Sequence, residues 1–367
     1  MTVIHEWLSD IEDGLRKGEP IRAMHRRLIT PFGTRPPGAA LVKSSEIDNL
    51  ERPGMPAEWL IHLLFPVTSR YKDGDVETER RLSVALGALI CYALDRRVEL
   101  LDEWLVGRRE EDNKLMWVPM TGIYDRRLQA PNPDDNFSSV FEDTISRLRS
   151  CQGKDAEAIL AAIELHHAAC LLITAEIRSS YVLLVAGVET LSQRFGSPPS
   201  QWEMWEDSAK WQEFERVANL DAQQVKMLRE RLMSNRQLRL AATFAEYAAT
   251  SLPHDFFDME WRDWFPYTPK ESDTAVYHPS SQILKVRDLI PQDPVALRKA
   301  LRASYTARSK IVHVGEHAID FGIAVNARSA SQRPKPLSFA ALRTLLKALI
   351  HQELMRHEPQ AALPQVE

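Results

Sequence analysis

An excess of positive charge is missing from this chain. Its 46 Lys and Arg face 51 Asp and Glu, a formal net charge of -5. Broad, sequence-independent nucleic-acid binding needs many cations on one surface. Any nucleic-acid contact is therefore confined to a local patch or a narrow site. Cysteine is scarce as well, with only Cys91, Cys151 and Cys170. No two stand at C-x-x-C spacing, so neither a zinc knuckle nor a redox motif is suggested. An odd, sparse set fits a reducing compartment, and Cys170, in an apolar helical run, reads as a small core residue. Long apolar runs are absent too. The run 168–175 ends at Glu176 and Arg178, far short of the roughly 20 residues of a membrane span. The first seven residues contain no signal-type apolar segment. The expectation is a cytoplasmic protein that does not contact membrane.

Hydrophobic residues make up 44 % and charged residues 26 % of the 367 positions, which is globular composition with ample material for a core. The length favours two domains. Helical spacing runs over 4–27, where Trp7, Leu8, Ile11 and Leu15 share a face. Residues 31–56 hold five prolines and three glycines and read as loop. The apolar run 59–65 fits strand or helix. Residues 77–95 form a firmer helix, and 96–101 and 115–123 alternate as strands do. Asp134 and Asp135, in a proline-rich turn, read as solvated residues.

From about Phe141 the chain becomes almost continuously helical. Residues 155–195 contain no proline and one glycine, Gly187, and form one long helix or two broken near 174–180. Helices follow from Ser200, over 221–233 and over 236–251. The aromatic, proline-bearing stretch 252–279 reads as a packed connection, with a base-stacking platform as the sharper alternative. Asp293-Pro294 pairs an N-cap with a proline at the first helical position, opening a helix to about His313. Ser338 caps a last helix to about Arg356. The expected architecture is mainly α: a mixed α/β domain over 1–140, a helical domain over 141–357, and a flexible tail over 358–367.

On a helical wheel at 100° per residue, Leu297, Leu301, Ile311 and Val312 define an apolar face on the Asp293–His313 helix. Arg298, Arg302, Tyr305, Ser309 and His313 form a polar stripe. Arg308 falls within the apolar sector, and a permanently charged guanidinium there needs a carboxylate, a phosphate or a route to water. Arg308 and His313 are five positions apart, about 140° on an ideal helix. They converge only through a loosened helix end or a second chain. His166 and His167, being adjacent, point to different sides of their helix and read as core or surface histidines. His351 and His357 form no convincing pair. No metal ligand set and no cofactor are expected.

The segment Tyr305-Thr306-Ala307-Arg308-Ser309-Lys310-Ile311-Val312-His313 resembles the Arg-x4-His motif of the HEPN ribonucleases. Upstream, Ala186-Gly187-Val188-Glu189-Thr190-Leu191 is similar to a segment of their Apea-like branch. The resemblance covers about 155–356 and implies a HEPN-like helical bundle, usually a homodimer. It also implies metal-independent cleavage of RNA through the 2′-hydroxyl, as in toxin or antiviral defence effectors. On this reading Arg308 and His313 are catalytic. Histidine moves protons near neutrality, and arginine offers a fork of donors to phosphate oxygens. Ser309 would orient His313, Glu189 would pair with Arg308, and Tyr305 would support the site. The alternatives are a catalytically inactive HEPN module that binds RNA, a nucleotide or a protein partner, and a purely structural dimerisation domain. Arg308 then becomes a structural ion pair and His313 a helix-end residue.

Overall fold

The computed structural model describes residues 1–31, 39–50, 58–69, 76–95, 97–102, 107–108, 115–117, 137–173, 176–205, 207–261, 284–314 and 335–360. Among them the chain is mainly helical, with a small antiparallel sheet. Two compact units divide it. The first is built chiefly from Met1–Leu183, and Leu184–Met259 with Lys285–Gln352 form the second.

In the first unit, helix α1 (Val3–Lys17) starts where the Thr2 side chain accepts a hydrogen bond from the His5 amide, and ends at Gly18 with φ 67°. That left-handed residue stops the helix ten residues before the expected limit, and strand β1 (Arg22–Pro31) follows. The strand's alternation is hidden in the sequence by Arg22, His25, Arg26 and Arg27. Arg26 is nevertheless buried, because its guanidinium meets Ser83 Oγ at 2.8 Å and Glu79 Oε2 at 3.2 Å on helix α2 (Val76–Leu94).

The run 59–65 lies in strand β3 (Glu58–Val67), and strand β2 (Lys43–Leu50) occupies part of the expected loop. Pairing with β3 supplies β2 with the hydrogen bonds that local composition does not advertise. Strand β4 (Glu99–Asp102) completes an antiparallel sheet of order β2-β3-β1-β4. Met24, Arg26 and Leu28 lie opposite Phe65, Leu63 and Ile61 in register and present one face to α2. Trp7 of α1 is fully buried and donates through Nε1 to the Pro66 carbonyl at 2.7 Å. A second antiparallel pair joins β5 (Gly107–Arg108) to β6 (Leu115–Trp117). The rest of the expected strand at 115–123, and Asp134 and Asp135, lie outside the described residues.

Helices α3 (Phe137–Ser150) and α4 (Gly153–Leu172) pack with α2 in this same unit. The division between units therefore falls inside α5 (Ile177–Phe195), between Leu183 and Leu184, and not at 140/141. The long helical stretch is two helices, with the break after Leu172. The described chain beyond 357 is also fastened: Arg147 donates to the His357 carbonyl at 2.7 Å, and Ser146 to that of Gln360 at 2.8 Å.

The second unit contains α6 (Ser208–Val217), α7 (Ala222–Ser234), α8 (Leu240–Thr250), α9 (Pro294–Val314) and most of α10 (Phe339–Met355). The Asp293 and Ser338 side chains cap α9 and α10, accepting from Ala296 N at 2.8 Å and Ala341 N at 3.2 Å. In the connection after α8, Phe256 is buried with its ring 5.2 Å from Phe257, which fits packing. Trp264 and Phe265 lie outside the described residues. Gly187 marks a close approach of α5 to α10: a Cβ there would stand 2.7 Å from Leu346 Cδ2, on a fully buried side chain.

Trp7 joins a large buried surface to a buried hydrogen bond. Trp7→Ala is expected to cost about 3–5 kcal/mol, read as a lower denaturation midpoint with helix α1 losing hydrogen-exchange protection first.

Candidate functional site

Three of the five residues singled out in the sequence come together in the second unit. Glu189 projects from α5, and Tyr305 and Arg308 from α9, one turn apart on the same face. The Tyr305 hydroxyl donates to Glu189 Oε1 at 3.3 Å. Arg308 Nη2 lies 3.7 Å from Glu189 Oε2, with the guanidinium side chain 31 % exposed and the carboxylate side chain 14 %. The apolar setting expected for Arg308 thus resolves into a partly sheltered ion pair. The separation exceeds normal hydrogen-bond length, and Arg308 Nε has no hydrogen-bond partner among the described residues. Glu189 anchors the guanidinium without saturating its donors.

Helix α8 holds this cluster in place. The buried Phe244 ring sits 5.4 Å from that of Tyr305 at 59°. Arg298 makes a two-pronged contact with Glu246, at 2.6 and 3.0 Å, tying α8 to α9. Fully buried Ser304 donates to the Ala300 carbonyl and accepts from Leu337 N at 2.9 Å, which positions the chain entering α10. Phe244, Glu246 and Ser304 were missed in the sequence, because nothing local marks a helix residue as the partner of another helix.

Tyr305 is held as a neutral donor. Burial pushes its phenol above the usual 10.0, the Glu189 charge adds to the shift, and Arg308 opposes it. Ser309 is half-buried and His313 is exposed. Val312, assigned to the apolar face, is instead 54 % exposed, because the buried stripe of α9 runs through Leu297, Ala300 and Leu301 and does not extend to the last turn. Helix α9 stays regular through Val314. No loosening before that point brings His313 round to Arg308. Gly315 lies outside the described residues.

The structure also gathers residues whose proximity went unseen in the sequence. Cys91, His166 and Cys170 meet in the first unit.

Compared with family models, curated proteins and solved structures, the chain gives no significant match in any of the three.

Two measurements test the geometry. A Glu189→Gln/Arg308→Gln double-mutant cycle is expected to show a coupling below about 1 kcal/mol, as for a partly exposed pair. A coupling of about 3 kcal/mol or more would make Arg308 a structural residue. For Tyr305, a folded pKa above the unfolded one contributes stability that is fully present below the unfolded value and lost as pH rises through the folded value. Between about pH 9 and pH 11, urea denaturation should therefore show wild type losing stability more steeply than Tyr305→Phe.

Proposed function

We propose that this chain is a metal-independent endoribonuclease of the HEPN type, with Arg308 and His313 as its catalytic residues. The observation behind this reading is the Glu189-anchored guanidinium of Arg308, partly open to solvent and held at 3.7 Å from the carboxylate, beyond hydrogen-bond length. The motif resemblance supplies the reaction class, the HEPN-like bundle and the effector role in defence.

The chemistry follows from what each group offers. The 2′-hydroxyl oxygen attacks the adjacent phosphorus as a histidine takes its proton, and the phosphorus–O5′ bond breaks. A second protonated histidine gives its proton to the departing O5′. The products are a 2′,3′-cyclic phosphate and a 5′-hydroxyl. Arg308 donates to the non-bridging oxygens as negative charge develops. Each chain carries one motif histidine, and a regular α9 separates it from Arg308. A homodimer pairing two α9 ends supplies both proton-transfer groups and places the His313 of one copy near the Arg308 of the other. Tyr305 and Glu189 fix the guanidinium, and Ser309 lies one turn before His313.

The ion pair itself favours a second reading, in which Glu189 neutralises Arg308 for structural ends and the module binds RNA, a nucleotide or a protein partner without cutting.

Purified protein is expected to cut single-stranded RNA with no added divalent cation, leaving cyclic-phosphate ends. His313→Ala should reduce the rate by about 10²–10⁴-fold and Arg308→Ala by about 10²–10³-fold, with helicity retained. RNA retained but uncut by wild type supports the binding module. Cleavage unchanged in His313→Ala removes that residue from the catalytic role.

A further inference from the structure

The first unit holds a buried set of soft ligands that the ribonuclease reading does not use. Cys91 lies on α2, and His166 and Cys170 on α4, all three fully or almost fully buried. Their ligand atoms, two Sγ and one imidazole nitrogen, all lie within 4.8 Å of one another.

Local geometry explains the meeting. His166 and Cys170 are four apart on one helix and so share a face. Gly87 is four residues before Cys91 and shares its face of α2. A Cβ on Gly87 would come 3.3 Å from His167 Cε1, a tight contact, so the missing side chain eases the approach of α4 to α2 at this level. His167, whose neighbouring position turns it to another side, gives its ring to the backbone: Nε2 lies 2.9 Å from the Val98 carbonyl oxygen. Burial lowers its pKa, keeping that ring neutral. The two adjacent histidines therefore have separate tasks, one tying α4 to the segment before β4 and the other turned toward two thiols. None of the three cysteines is in a disulfide.

Cysteine thiols are weak hydrogen-bond partners for a buried imidazole but strong ligands for thiophilic ions. A set with two sulfurs, one nitrogen and no carboxylate does not suit magnesium or calcium, which take oxygen. It suits zinc. Zinc at 2.3 Å from sulfur and 2.0–2.1 Å from nitrogen in a tetrahedron places its ligand atoms roughly 3.6–3.8 Å apart. Closing the cluster to that spacing takes shifts of about 1 Å, within the reach of small side-chain rotations. Charge also balances: two thiolates and a neutral imidazole cancel a divalent cation, so the loaded site leaves no net charge in the core. The two thiol protons leave to solvent as the metal binds.

We propose that Cys91, His166 and Cys170 form a buried zinc site joining α2 to α4. The site locks the helix pair that backs the sheet. It has no part in the chemistry at Arg308.

The test is metal analysis of the full chain purified without chelator. About one zinc per chain is expected by plasma mass spectrometry. Cys91→Ser and Cys170→Ser should lose most of it, while Cys151→Ser, which alters the cysteine outside the cluster, should keep it. Exchange with cobalt(II) should give a thiolate-to-cobalt charge-transfer band in wild type and Cys151→Ser. That readout on wild type holds even if a cluster variant fails to fold. A wild-type chain with neither zinc nor the cobalt band overturns the proposal, as does zinc content unchanged in Cys170→Ser.

Discussion

Arg308 brings a charge that it cannot shed into the contact between α5 and α9, and Glu189 is what makes that placement tolerable. The same carboxylate accepts from Tyr305, whose ring packs on Phe244 of α8. Glu189 therefore links α5 to α9, whose Tyr305 packs on α8. A bidentate salt bridge would have taken two of the five guanidinium donors. At 3.7 Å the attraction orients Arg308 without closing its fork of donors. The placement of the candidate arginine thus rests on an electrostatic contact, beside the Arg298–Glu246 pair that ties α8 to α9.

The first unit applies the same constraint to other groups. Arg26 is admitted to the sheet face because Glu79 and Ser83 receive it. His167 is admitted because the Val98 carbonyl meets its ring. Both groups have the cost of burial offset by partners elsewhere in the fold. Glycine provides the room for this. Gly87 eases the approach of α4 to α2, and Gly187 gives Leu346 of α10 the space a methyl group would fill. The cluster of Cys91, His166 and Cys170 depends on the first of these approaches.

Some elements were legible because their signals are local. The cap at Asp293, the proline after it and the apolar spacing through Leu297 and Leu301 announced α9, and Ser338 announced α10. The pairing of Glu189 with Arg308 was also anticipated: the apolar sector called for a carboxylate, a phosphate or water, and the family resemblance pointed to Glu189. Strands β1 and β2 were not legible. Four basic residues masked the alternation of β1, and the hydrogen bonds of β2 come from β3. Val312 misled because the wheel gives directions but not where a neighbouring helix ends.

The sequence alone determined a mainly helical chain, a small strand-bearing part near its start, the bounds of most helices, and an arginine in need of a counter-ion. Periodicity, caps and breakers act over about four residues, so a single strand of text contains them. Only the tertiary structure decided where the units divide, that Tyr305 joins Glu189, that α9 remains regular at His313, and that two cysteines meet a histidine. Those outcomes depend on the distances between elements. Distances are set by which side chains, or missing side chains, lie between two packed surfaces far apart in the chain.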